Sequence, residues 1–183
     1  FNTQRTPSDV VDSFWLLLQG CGVGFKPEVG VLRGFHRKVH VTTRRSERKE
    51  KGGRSTTLLM NPIKGHYILS VGDSAEAWAK SIGKLLTLPA DATHLMFDYS
   101  EIRPGGKRLS GYGWISSGDA TLADAFEKIA GILNDRQGNL LTELDILDLL
   151  NLLGTTLSSR RSAEIALLDI DNEMAHEFIE AKK

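Results

Sequence analysis

An α/β fold, with largely parallel strands joined by covering helices, is predicted by two observations. Segments of helical apolar spacing alternate along the chain with short apolar runs of strand length, and glycine- and arginine-rich segments sit where those runs end. Strands separated by helices favour crossover connections over a meander, and ligands of such sheets collect at the carboxyl ends of the strands. With 183 residues, 40% of them hydrophobic, the chain is long enough for one α/β domain spanning 1–183 with a real core.

The first helix is expected over Thr6–Leu18, ending at Gly20. Ser8 or Asp9 is a candidate N-cap, and Val10, Val11, Phe14, Trp15 and Leu18 recur at helical spacing. Gly20-Cys21-Gly22-Val23-Gly24-Phe25 then reads as a short buried strand or turn where another backbone comes close. Between His36 and Lys64, Arg37, Lys38, Arg44, Arg45, Arg48, Lys49, Lys51 and Arg54 crowd together. This basic stretch, 36–65, is expected to be a mobile loop, hairpin tip or insertion. His66–Val71 reads as a strand, Asp73 or Ser74 caps a helix through about Leu86, and Leu95–Tyr99 reads as a buried strand.

Ser100–Asp119 is long and glycine-rich. Helices are then expected over about Leu122–Leu133 and Glu143–Leu153, the second with Leu144, Leu147, Leu150 and Leu152 on one face. Thr155–Ser162 is a polar loop, Ala163–Leu168 a strand, and Asp171–Lys182 a short helix carrying Met174, Phe178 and Ile179. Trp15, Trp78 and the leucines near Leu147 are expected in the core. No internal repeat is evident, and both ends read as cuts through a longer polypeptide.

Composition excludes several functions. Twenty-three basic and 23 acidic residues cancel, so the chain as a whole has no footprint for nucleic acid, and any basic site is local. No apolar run approaches the roughly 20 residues a membrane span needs, and no leader of the secretory kind is present, so a cytoplasmic setting is expected. The one cysteine, Cys21, allows no intramolecular disulfide, no two-thiolate metal site and no dithiol relay. It is expected to be a packed thiol. Among the five histidines, only His36 and His40 share an i, i+4 spacing, too little for a metal site.

Candidate chemistry lies in the two loops. Arginine forks match phosphate oxygens, and glycines let backbone N–H groups point at the same oxygens. Arg103, Lys107, Arg108 and Gly111, with their neighbouring glycines, therefore suit a phosphorylated ligand. Ser158, Ser159, Arg160 and Arg161 form the second, weaker candidate.

Four ordered blocks carry a resemblance. Gly22-Val23-Gly24-Phe25, then Val71-Gly72-Asp73-Ser74 with Glu76 and Trp78, then Phe97 through Gly106, then Arg160 through Leu167, resemble the adenosylcobalamin-dependent ribonucleotide reductases, with the best likeness to the monomeric, triphosphate-reducing type. The resemblance implies part of a ten-stranded α/β barrel, a stretch of its first parallel half that stops before the finger loop with the radical cysteine. It implies that the loop from Glu101 to Gly118 helps hold a deoxynucleoside triphosphate effector, and that the loop from Leu157 to Ala163 passes effector identity to the substrate base. Arg103 would then meet effector phosphates, Lys107 and Arg108 would line the same pocket, and Arg161 would report to the substrate. The basic stretch would match an insertion that imitates a dimer partner around the effector.

Departures from the family pattern are Ser158-Ser159 in place of paired glycines, Trp114 and Asp119 in place of a glycine and a proline, and Cys21 in place of a small residue. The intact polypeptide would reduce ribonucleotides with adenosylcobalamin and a thioredoxin-type reductant. This part would supply scaffold and effector recognition, bind nucleoside triphosphates and dNTP effectors, pack against the remainder of the reductase, and self-associate as a homodimer through uncovered surfaces. Without the catalytic cysteines it would have no turnover of its own. The alternative is a non-catalytic nucleotide-binding regulatory module, or one subunit of a split enzyme.

Overall fold

The computed structural model describes residues 2–109, 115–157 and 164–181. Its first element is a short strand, β1 (Asn2–Gln4), followed by helix α1 (Pro7–Leu18). Thr6, not Ser8 or Asp9, is the N-cap. Its hydroxyl accepts from the Asp9 amide at 3.2 Å while the Asp9 carboxylate accepts from the Thr6 amide at 2.8 Å, a reciprocal capping box with Pro7 at the first helical position. Strand β2 (Val23–Pro27) lies between β1 and the late strand β7 (Glu164–Ala166), and all three run parallel.

A second sheet holds β3 (His40–Arg44), β4 (Thr57–Met60), β5 (His66–Ser70) and β6 (His94–Asp98), in the order β3-β6-β5-β4. Helix α2 (Ala75–Leu86) crosses from β5 to β6, and β3, β6 and β5 are parallel. The parallel expectation fails for β4, which pairs antiparallel with β5. Two strands thus emerge from the basic stretch expected to be a loop. Val41 and Leu58 pack against the core, and each segment pairs along one side, β3 with β6 and β4 with β5, even though many of their side chains face solvent.

Helices α3 (Ala120–Asp135) and α4 (Glu143–Gly154) follow, then β7 and the short α5 (Ala175–Glu180). Thr142 caps α4 through a second capping box with Asp145. One apolar cluster joins Phe14 of α1, Phe25 of β2, Phe97 of β6, Phe126 of α3 and Leu150 of α4. Helices α1 and α2 pack closely at Gly83, where an added Cβ would come within 2.8 Å of Val11. Trp78 is buried as expected, but Trp15 is 42% exposed, because its place on α1 turns it away from the core and toward an open cavity. Cys21 is exposed rather than packed: it lies in the turn between α1 and β2, just ahead of the buried strand.

Candidate functional site

Strands β5 and β6 both end at the same rim of the four-stranded sheet, and the chain turns from each into a polar segment. From β5 it passes through Val71-Gly72-Asp73-Ser74 into α2; from β6 it passes through Tyr99 and Ile102 to Arg103. Ser74 caps α2, its hydroxyl accepting from the Ala77 amide at 3.1 Å, which leaves other first-turn N–H groups and the positive end of the helix dipole directed outward. A cavity of about 240 Å³ opens here. Its walls include Trp15 and Leu18 of α1, Lys51 and Arg54 of the basic segment, Asp73 to Glu76 at the start of α2, and Ile102, Arg103 and Ser116 to Gly118.

The basic segment is pinned over this rim by its backbone. Gly52 N–H donates to Asp73 Oδ2 at 3.1 Å, and Gly53 N–H donates to Glu101 Oε2 at 2.7 Å, an oxygen that also accepts from Arg48 at 2.7 Å. The Gly53 carbonyl accepts from the Asp73 amide, and the Thr56 hydroxyl accepts from Gly72 N–H at 3.0 Å while donating to the Ala77 carbonyl at 2.7 Å. Such contact demands small residues on both sides. A Cβ at Gly52 would overlap the Glu101 carbonyl, and one at Gly72 would meet the Ser55 backbone at 2.6 Å. The close backbone approach therefore falls at these glycines.

Arg103 sits at the centre. Its Nε donates to Asp73 Oδ2 at 2.9 Å and Oδ1 at 3.1 Å, with side-chain exposures of only 15% and 6% for the two partners. Lys51 and Arg54 are exposed and make no ion pair among the described residues, whereas Glu76 is held by Lys80 at 2.9 Å. Lys80 keeps the Glu76 carboxyl below its ordinary range. The rim thus presents two unpaired cations, a third held by a carboxylate, and a helix N-terminus, an arrangement suited to an anion with several oxygens. The apolar Trp15, Leu18 and Ile102 walls leave room for a ring system beside it.

The segment after Arg103 doubles back on itself. The Gly106 amide donates to the Ser116 carbonyl, the Lys107 carbonyl accepts from the Ser116 amide, and Arg108 bridges Ile115 in antiparallel fashion. Gly106 and Gly118 take φ values of +82° and +71°, the left-handed region where a side chain is strained. Lys107 and Arg108 are exposed and lie outside the cavity lining. Gly111, Ser158, Ser159, Arg160 and Arg161 lie outside the described residues.

Sequence reasoning missed Asp73 as a site residue and placed Lys51 and Arg54 near the effector only as members of a basic stretch, without singling them out. The succession of Gly72, Asp73 and Ser74 at the mouth of a helix was the available signal. Asp119 anchors the chain: its carboxylate takes Arg45 Nε at 2.7 Å, Arg45 Nη2 at 3.0 Å and the Ser46 amide at 2.8 Å, fixing the end of β3. Among the described residues no group of three or more His, Cys, Asp or Glu side chains is disposed to hold a metal ion, and no helix is long and apolar enough to cross a membrane.

No family model matches the chain. It is similar to the adenosylcobalamin-dependent ribonucleoside-triphosphate reductase of Lactobacillus helveticus, 36% identical over 122 residues that cover 62% of this chain and 16% of that protein. It is also similar to that of Lactobacillus gasseri, 31% identical over 91% of this chain and 25% of the relative, and to the probable reductase of Dictyostelium discoideum, 34% identical over 63% and 15%. A crystal structure of a B12-dependent (class II) ribonucleotide reductase superposes with a TM-score of 0.72 at 24% identity, covering 96% of this chain and 26% of that one, which shows a shared α/β fold. The chain spans a quarter or less of the length of these curated relatives and is homologous to one stretch of them.

Proposed function

We propose that this chain is the effector-binding part of an adenosylcobalamin-dependent ribonucleotide reductase, holding the triphosphate of a deoxynucleotide at the rim between β5, β6 and α2. The observation that carries the reading is the convergence of Arg103, Lys51, Arg54 and the α2 N-terminus on one cavity flanked by Trp15, Leu18 and Ile102. Triphosphate oxygens would take the helix N–H groups and the cations, and the apolar wall would take sugar and base. Lys107, Arg108 and Gly111 would add to the effector site, and Ser158, Ser159, Arg160 and Arg161 would carry its identity onward to the substrate base. Kinship with reductases named for triphosphate substrates and a shared fold support this assignment.

The described residues do not fit adenosylcobalamin itself. The cavity's walls carry no imidazole. The chain's one cysteine, exposed Cys21, stands apart from the cavity lining. Ribonucleotide reduction consumes the electrons of a dithiol, so in the intact cytoplasmic enzyme the cofactor, the redox cysteines and the docking of a thioredoxin-type reductant belong to the remainder of the barrel. That remainder would complete the ten-stranded fold and cover side chains left open near β7, among them Ile165 and Ile170, which are 57% and 88% exposed. The same face would account for homodimer formation by this part alone. Its reading as one domain, 1–183, rests on the shared cluster of Phe25 and Phe97.

Titration calorimetry with dATP, dGTP, dCTP and TTP tests the proposal. At least one is expected to bind, with Arg103→Ala weakening it by about 1.5–3 kcal/mol, as for a charge-assisted contact. Binding of none of the four, or equal binding by the variant, would overturn it.

A further inference from the structure

At the amino-terminal ends of the same strands, away from the cavity, three histidines stand in a row. His40, His66 and His94 each open their strand, and the register pairs His94 with His40 on one side and His66 on the other. Adjacent strands lie about 4.8 Å apart, so in-register side chains on one face touch. The His66 and His94 rings stack with centroids 4.0 Å apart and planes at 17°, and His40 follows at 5.1 Å and 33°. A near-parallel stack presents faces, not nitrogens, to its neighbours, in keeping with the lack of a three-ligand metal geometry among the described residues.

The surroundings leave this row uncompensated. Lys38 precedes β3 and Lys64 precedes β5, both exposed. Asp91, on the segment entering β6, accepts a hydrogen bond from the Tyr67 hydroxyl at 2.7 Å. The Thr93 hydroxyl lies 3.0 Å from His94 Nδ1 and also reaches the Gly65 carbonyl at 3.3 Å. The charges that act on His94 are those of His66 and His40, with no carboxylate among them.

We propose that the row of three imidazoles makes the start of this sheet sensitive to acid: the rings cannot all carry a proton at contact distance, and the proton forced onto the middle ring loosens the edge strand β3. Outer rings two strand spacings apart, roughly 10 Å, are separated by about one Debye length at physiological salt and tolerate two charges. A proton on the middle ring faces both at contact distance. Loss of hydration between the rings, then His66 and His40, holds His94 below its ordinary value of 6.5. The folded state therefore binds that proton less readily than the unfolded state, and stability falls as pH drops below 6.5. Strand β3 is the one exposed to loss, since among the described residues it pairs with β6 alone, and its first amide donates to the Thr93 carbonyl at 2.9 Å.

The test is an NMR titration of the histidine Cε1 protons in the whole chain, with amide exchange of β3 compared with β5 at about pH 7.5 and 5.5, on either side of the histidine range. His94 is expected to titrate below His40 and His66, and β3 amides to gain exchange relative to β5 on acidification. His94→Gln should remove the acid-induced gain, and His40→Gln, at the open edge, should move the His94 titration upward. Three independent titrations with one midpoint, or an undiminished gain of β3 exchange in His94→Gln, would overturn the proposal.

Discussion

Arg103 Nε donates to both carboxylate oxygens of Asp73, at 2.9 and 3.1 Å, and this pair joins the segment after β6 to the mouth of α2. A ligand phosphate at this rim must share Arg103 with a resident carboxylate, so the pair preorganises the arginine and also competes for it. Removing one partner of such a sheltered pair strands the other. Asp73→Asn is expected to lower stability by about 3 kcal/mol, with part recovered when Arg103→Met is added. Urea unfolding of the two single variants and the double variant measures this coupling.

Glycines on this rim should respond according to what surrounds them. Gly52→Ala drives a methyl into the Glu101 carbonyl and should cost about 1–3 kcal/mol while lifting the Lys51 and Arg54 segment. Gly131, on an exposed turn of α3 with nothing within 4 Å, should behave oppositely: alanine there is expected to add roughly 0.5–1 kcal/mol. Thermal denaturation of both variants distinguishes the two effects.

Asn134 near the end of α3 accepts from the Val39 amide and donates to the Val39 carbonyl, both at 2.9 Å. The amide side chain thus stands in for a strand partner just before β3. Asn134→Ala should cost about 2 kcal/mol by leaving both backbone groups unpaired, and amide exchange at Val39 should rise in step.

Asp119 gives a pH dependence of defined sign. Burial raises its pKa, but hydrogen bonds from Arg45 and the Ser46 amide outweigh that, and the carboxyl ends below its ordinary 3.8. The unfolded chain then binds the proton more readily, so this contribution is full above 3.8 and disappears as pH falls through the lower folded value. Because Arg45 is 53% exposed, about 1 kcal/mol is expected. Asp119→Asn should shrink the stability lost between about pH 5 and 2 by that amount in acid titrations followed by circular dichroism.

Most helices were legible from apolar residues at helical spacing, though the caps were only partly read: the cap of α1 was expected at Ser8 or Asp9 and lies at Thr6. Thr6 and Thr142 each stand three residues before an aspartate, and Ser74 follows a glycine turn at the head of α2. β3 and β4 were not legible, since their pairing supplies backbone partners that no side-chain period records and their side chains are mostly exposed. β1 is three residues long and mostly polar. At the site, Arg103 stood out by its glycine context, and Gly72, Asp73 and Ser74 marked the mouth of a helix, but the pairing of Asp73 with Arg103 emerges only with β5 and β6 side by side. The histidine row was hidden for the same reason, because cross-strand register is not a spacing along the chain.

The arrangement of the smaller sheet bears on how this molecule is made. β2 is gripped on one edge by β1, its near neighbour in sequence, and on the other by β7, which follows every other strand and four of the helices. A ribosome has therefore to deliver nearly all of the described chain before that sheet can close, and loop-closure entropy over so wide a separation slows the last pairing. Until then the far edge of β2 stays unprotected, and polypeptides emerging close together are at risk of exchanging their β7 strands.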